Sequence, residues 1–268
     1  MQSSRDSRTE GRRIYAVPDI HGHLELLDQV LARIRADLRD RPHPAPLLVF
    51  LGDYCDRGPD TRGVLARLIE LRQGPVPVVT LLGNHDSYIL AYRDDPTWFD
   101  RPLHWLHASM GGDRTLASYG VPDASEADPE ATHAAFVAQF PAAHLDFLHD
   151  CQLWHRVGGY VFVHAGIRPG VGLEDQKRDD CIWIREPFLS SRDDFGFKVV
   201  HGHTIVPTPQ HHSNRIALDT GAFRTGRLVC LVLEDDSLAL LGDGPFPEGT
   251  GVETPGLIFR LRRLLPGG

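Results

Sequence analysis

Five separate apolar runs in this chain each stop on residues that bind metals or phosphates, and this repetition constrains the fold more than any bulk property. "IYAVP" runs into Asp19 and His21, "PLLVFL" into "GDYCDRG" at 52–58, and "VPVVTLL" into "GNHD" at 83–86. Further on, "YVFV" runs into His164 and "KVV" into "HGHT" at 201–204. Short apolar runs rich in β-branched residues read as buried strands. In an α/β sheet, ligands gather beyond the carboxyl ends of the strands. Endings of this kind therefore predict one shared site.

Helical patterns separate the strands. From about His23 to Leu38 the residues Leu27, Val30, Leu31, Ile34 and Leu38 share one face, and a second helix is expected near Gly63–Leu71. β-α alternation predicts an α/β fold. Residues 87–150 carry helical spacing without a strong strand, and predict a helical insertion on one edge, with Trp98, Phe99, Trp105 and Trp154 as its core. Strands return at Tyr160–Val163, Phe197–Val200, Ile216–Leu218 and Leu228–Leu233; the last two look like a hairpin, hence a mixed sheet. The polar residues 1–11 read as a disordered arm, 12–268 as a single domain, and "RLRRLLPGG" as a short tail or edge helix.

Composition narrows the function by exclusion. A formal charge of −8 over 268 residues leaves no basic stripe for nucleic acid, although a small phosphorylated substrate in a locally positive pocket is compatible with it. No apolar stretch reaches bilayer length, so no membrane partner is expected. The polar N-terminus lacks an apolar signal core. The four cysteines lie far apart with no CxxC pair, which points to a reducing, cytoplasmic setting and away from a thiolate zinc site.

The spacing at the strand ends favours cations. Residues i and i+2 of an extended segment project to one side, so Asp19 and His21 can share an ion while Ile20 packs inward. Gly52 lets the backbone approach Asp53 closely. Adjacent Asn84 and His85 must point differently, which suits one metal ligand and one residue facing substrate. His164 and one histidine of "HGH" complete a nitrogen-rich position; His201 and His203 compete for it. Carboxylates, an amide oxygen and imidazoles together suit Mn, Fe or Zn better than Ca or Mg. Clustered carboxylates also resist desolvation unless cations sit between them, and two divalent ions do this.

In this order, "PDIHG", "GDYCDRG", "GNHD", "HAG" and "HGHT" resemble the calcineurin-like metallophosphoesterases, and within them the phosphoprotein phosphatases of the bacterial serine/threonine branch. The resemblance spans roughly residues 13–235 and extends to "WIREPF" and "LDTGAFRTGRL". It implies the metallophosphoesterase fold, with central mixed β-sheets flanked by helices, and two divalent ions, Mn with Fe or Zn as alternatives. By the resemblance, Asp19 and His21 bind one metal, Asp53 bridges both, and Asn84, His164 and His203 bind the other. His85 stands by the leaving group, held cationic by Asp56, while Arg57 and Arg185 grip the phosphate. The implied reaction is phosphomonoester hydrolysis by direct attack of a metal-bridging hydroxide, on a phosphorylated protein or small phosphoester. Two departures are visible: Pro18 replaces the first glycine of the usual GDIHG, and Asp86 stands where eukaryotic members carry glutamate. Ile205 occupies a place where the wider superfamily often has a further histidine. A diadenosine tetraphosphate hydrolase is the nearest alternative, and a non-catalytic binding module on the same fold is another.

Overall fold

Strand β1 (Arg13–Val17) is buried on both faces, and its two faces supply two different cores. Ile14 and Ala16 pack with Phe162, Val200 and Ile216, whereas Tyr15 and Val17 pack with Leu27, Leu31 and Ile34. A strand covered on both sides needs a near-continuous apolar sequence, which explains why "IYAV" does not alternate with polar residues. The computed structural model describes residues 8–97, 99–100, 103–124 and 128–242.

After β1 come α1 (Leu24–Asp40), β2 (Pro46–Phe50), α2 (Thr61–Arg72), β3 (Val78–Thr80) and α3 (Asn84–Asp94). The middle of the chain holds a minimal ribbon, β4 (Phe99–Asp100) with β5 (Leu103–His104), followed by α4 (Gly112–Ser118), α5 (Pro129–Gln139) and α6 (Ala142–His149). The second half contains β6 (Trp154–Val157), β7 (Tyr160–Val163), α7 (Arg178–Trp183), β8 (Lys198–His201), β9 (Gln210–His211), β10 (Arg215–Ala217), α8 (Ala222–Thr225), β11 (Leu231–Glu234) and β12 (Ser237–Leu240).

The strands form two mixed sheets, ordered β12-β11-β1-β2-β3 and β6-β7-β8-β10-β9. Within the first, β1, β2 and β3 are parallel and β11 is antiparallel to β1. Within the second, β7, β8 and β10 are parallel. The sheets face each other across an apolar layer. Helices α1 and α2 and the middle helices cover the outer face of the first sheet, and the α7 region covers that of the second. The parallel strands β1, β2, β3, β7 and β8 are the ones whose ends carry the singled-out residues. That shared direction is what brings the loops together.

Some expectations change. The pair Ile216–Leu218 and Leu228–Leu233 is no hairpin: β10 lies in one sheet and β11 in the other, and β11 turns back onto β12 instead. Trp154 belongs to β6 and packs near the outer cluster of the second sheet, while Trp105 is fully buried among the middle helices. Trp98 and the Phe99 side chain lie outside the described residues. Residues 8–11 of the expected disordered arm form a turn in which only Thr9 is buried, tied down because their polar groups satisfy two neighbouring turns. Gly158 N donates to Glu10 Oε1 (2.9 Å), Gly159 N to Arg8 O (3.0 Å), and Asp235 N to Thr9 Oγ1 (3.0 Å). Residues 1–7 and the "RLRRLLPGG" tail lie outside the described residues. No helix among the described residues is long and apolar enough to cross a membrane, and all four cysteines are free.

Candidate active site

The loop after β1 brings Asp19 and His21, the loop after β2 brings Asp53, Asp56 and Arg57, and the N-terminus of α3 brings Asn84 and His85. His164 follows β7 and His203 follows β8. These loops are tightly bent. His21, Asp53, Asp56, Arg57 and His203 all have positive φ, between +48° and +69°. Non-glycine residues seldom adopt this conformation, and it collects where surrounding structure over-determines it. Between them, Gly52 and Gly83 allow the close approach. A Cβ on Gly83 would lie 2.2 Å from Asp53 Oδ1, and one on Gly52 2.6 Å from Gly83 N.

A cavity of about 260 Å³ opens over the loops. Asp19, His21, Asp53, Arg57, Asn84, His85, Arg185 and His203 line it, with apolar walls from Tyr88, Leu103, Met110 and Trp183. Arg185 stands exposed at its mouth. His164 is fully buried beneath, beside Asp53 and Asn84.

Two groups of potential ligand atoms overlap here, each within 4.8 Å. One is His21, Asp53 and His85; the other is Asp53, His164 and His203. Their sharing of Asp53 suits a bridging carboxylate. His85 joins the first group, while the Asp19 carboxylate accepts from His203 N, at 3.1 Å to each oxygen. His203 and His201 do not share a face as extended residues would, because the chain turns left-handed at His203. His203 enters the site, whereas His201 lies beneath it with its ring edge-on to Phe188.

The donor set fits cations. His164 Nδ1 donates to Leu51 O (2.9 Å), and His21 Nδ1 to Cys55 O (2.8 Å), so each Nε2 presents a lone pair to the site. His164 Nε2 lies 3.0 Å from Asn84 Oδ1 and 3.4 Å from Asp53 Oδ1. Burial pushes the His164 pKa down to about 3, so the imidazole is neutral and acceptor faces acceptor. His203 Nε2 is buried without a hydrogen-bond partner. Burial raises Asp19 and Asp53 well above the usual carboxylate range, helped by Asp219 and Asp53 for the first and Asp86 for the second. A divalent cation relieves both problems at once, by accepting lone pairs and by neutralising the carboxylates.

Beside this cluster, His85 Nδ1 lies 2.6 Å from Asp56 Oδ2, and His85 Nε2 lies 2.9 Å from Arg57 Nη2. Arg57 Nη1 is 3.0 Å from His21 Nε2, and its guanidinium carbon sits 4.4 Å from the centre of the Phe223 ring. Burial and Arg57 hold the His85 pKa well below the ordinary histidine value. A guanidinium can only donate, so in this arrangement Nε2 accepts from Arg57 and Nδ1–H points to Asp56. Burial raises Asp56 to about 7.

Three participants escaped the sequence reading. Trp105, in the turn after β5, and Thr115, on α4, both donate to Asp56. Asp86, noticed only as a departure, accepts from the backbone N–H groups of Asp53, Tyr54 and Gly83. Contacts across tens of residues leave no local spacing signal. Nearby, Asp219 forms a local turn, accepting from Gly221 N at 2.8 Å.

The family model described as calcineurin-like phosphoesterase matches residues 12–231. Serine/threonine-protein phosphatase 1 of Salmonella typhimurium is 28% identical over 226 residues, covering 81% of this chain and 90% of that protein. The symmetrical bis(5'-nucleosyl)-tetraphosphatase of Nitrosomonas europaea is 34% identical over 164 residues, covering 60% of this chain but 47% of that protein. Among solved structures, a cold-active protein tyrosine phosphatase superposes with a TM-score of 0.59 at 17% identity, covering 90% of this chain and 80% of that one. At that identity the likeness bears on the fold alone.

Proposed function

Because the chain belongs to the calcineurin-like phosphoesterases, we propose that it hydrolyses phosphomonoesters of serine and threonine side chains, using two divalent cations. Asp19, His21 and Asp53 would hold one cation, and Asp53, Asn84, His164 and His203 the other. Bound there, divalent cations polarise the phosphoryl group and acidify bound water. Mn is the expected ion, with Fe and Zn as alternatives.

The observation that carries this reading is the 2.6 Å contact between His85 and Asp56 at the cavity wall. An alkoxide is a poor leaving group and needs a proton, whereas the phosphate leaving from an anhydride needs one much less. Arg57 and Arg185 neutralise the equatorial oxygens. An arriving phosphate draws Arg57 away from His85 Nε2 and frees that nitrogen. A phosphomonoester monoanion, whose last proton leaves near pH 6, can deliver the missing proton to Nε2. Asp56 then faces an imidazolium, which returns the proton to the departing oxygen. Support also comes from extent: the serine/threonine phosphatase relative is matched along nearly its whole length.

A second reading has its own observation in the 34% identity to a symmetrical tetraphosphatase, although the match spans about half of that relative. A panel of phosphoserine, phosphothreonine and phosphotyrosine peptides beside diadenosine tetraphosphate, assayed with manganese, separates the two. Higher kcat/KM on the phosphoserine and phosphothreonine peptides is expected. Preference for the dinucleotide would overturn the first reading in favour of the second.

A further inference from the structure

Asp56 is completely buried, and its carboxylate accepts from three side chains that come from two different parts of the chain. His85 Nδ1 and Trp105 Nε1 (3.0 Å) both meet Oδ2, and Thr115 Oγ1 donates to Oδ1 (2.7 Å). An indole N–H can only donate, so the Trp105 contact fixes its own polarity. The hydroxyl of Thr115 accepts from Asp56 N (2.9 Å) and lies 3.0 Å from Thr61 Oγ1. Since Thr115 spends its one proton on Asp56, Thr61 must donate to Thr115, and every hydrogen-bonding capacity of Thr115 is used. The indole is itself clamped. It packs 5.0 Å from the Tyr92 ring, and a Cβ on Gly112 would intrude to 2.6 Å from its Cε2 atom. The preceding Gly111 accepts from Arg57 N at 3.2 Å.

On the reading of the site as a phosphomonoesterase, we propose that Trp105 and Thr115 are positioning residues. They lock the Asp56 carboxylate so that His85 Nε2 points at the leaving-group oxygen. Residues 103–118 are thereby part of the proton-delivery apparatus as well as a cavity wall. Two anchors on opposite oxygens fix both the rotation and the plane of the carboxylate, and the carboxylate in turn fixes the imidazole. Without them Asp56 can turn, and His85 loses its aim while the metal ligands stay in place.

The test compares Thr115→Val, Trp105→Phe and Thr115→Ser with wild type on aryl and alkyl phosphates, p-nitrophenyl phosphate and phosphoserine peptide. Thr115→Val and Trp105→Phe should lose at least about tenfold more kcat on the alkyl substrate than on the aryl one, within the roughly hundred- to ten-thousand-fold reach of general-acid help. KM and bound metal by elemental analysis should hold near wild type, and Thr115→Ser should restore the alkyl rate. Equal losses on both substrates, or lost metal in Thr115→Val, would overturn the assignment. A second measurement needs no turnover. In metal-free protein, the His85 Nδ1–H proton resonance, identified by its absence in His85→Asn, should shift or broaden in Thr115→Val, and an unchanged resonance counts against the proposal. If wild type turns over neither phosphoester, the phosphomonoesterase reading fails, while the resonance still decides whether Thr115 positions His85.

Discussion

The carboxylate of Asp86 holds the backbone of Asp53: its Oδ2 accepts from Asp53 N at 2.8 Å. The same oxygen accepts from Gly83 N (2.9 Å), and Oδ1 accepts from Tyr54 N (2.8 Å). One short side chain thus ties the loop after β2 to the first turn of α3. The two carriers of candidate ligands keep their spacing because both hang from it.

Removing that tie leaves buried N–H groups without acceptors, each costing on the order of 1–3 kcal/mol, though not additively. Asp86→Ala should therefore lose about 2–4 kcal/mol of stability in chelated protein, read from urea unfolding. A loss below about 0.5 kcal/mol, the size of a neutral surface change, would mean that water takes over the three bonds.

Asp53 belongs to both ligand groups. Asp53→Asn keeps the shape but lacks the charge that would hold two cations. Metal affinity should fall by at least roughly 10–100-fold, a range already reached by residues that merely support ligands. Elemental analysis after manganese loading and desalting reads it out, and wild-type metal content would refute a shared carboxylate.

His85→Asn removes the proposed proton donor without touching the backbone contact from His85 N to Asp53 Oδ1 (2.9 Å). Phosphoserine hydrolysis should drop by about a hundred- to ten-thousand-fold. p-Nitrophenyl phosphate, whose leaving group needs little protonation, should lose far less. Matching losses on the two substrates would remove His85 from the role of acid.

The strand ends were legible because metal-type residues directly follow apolar runs, a strictly local pattern. Helix α1 was legible for the same reason, through the periodic Leu27, Val30, Leu31 and Ile34. What was hidden depends on backbone hand and distance. Two-residue spacing put His201 and His203 on one face, yet the positive φ of His203 separates them. The strand character of Ile216 and Leu231 was visible, but not that β10 and β11 join opposite sheets. Trp105 read as ordinary core, which its burial bears out, while its N–H reaches a carboxylate 49 positions away. Thr115 gave no signal, since nothing near it in the chain implies a partner 59 positions off.

A histidine away from the site should govern part of the acid sensitivity. His144, on α6, is buried, and its Nδ1 shares a hydrogen bond with the Tyr119 hydroxyl at 2.7 Å. Burial, with a smaller contribution from Arg62, lowers its pKa to about 4, against 6.5 in the unfolded chain. Between these values the unfolded chain binds a proton that the folded protein does not. Stability held in full above pH 6.5 therefore drains as pH falls toward 4, and the loss is complete below it. The buried carboxylates act oppositely: Asp56, raised to about 7, and Asp86, raised to about 6, favour the folded state at low pH and lose that contribution as pH rises from 3.8. Those terms are common to wild type and a His144 variant, so they cancel in the difference. His144→Gln keeps an acceptor for Tyr119 and does not titrate. In urea unfolding of chelated protein at stepped pH, the stability of wild type relative to the variant should fall as pH drops from 6.5 to 4, with a slope equivalent to one proton. Parallel curves would mean that His144 takes up its proton as readily in the folded protein as in the unfolded chain.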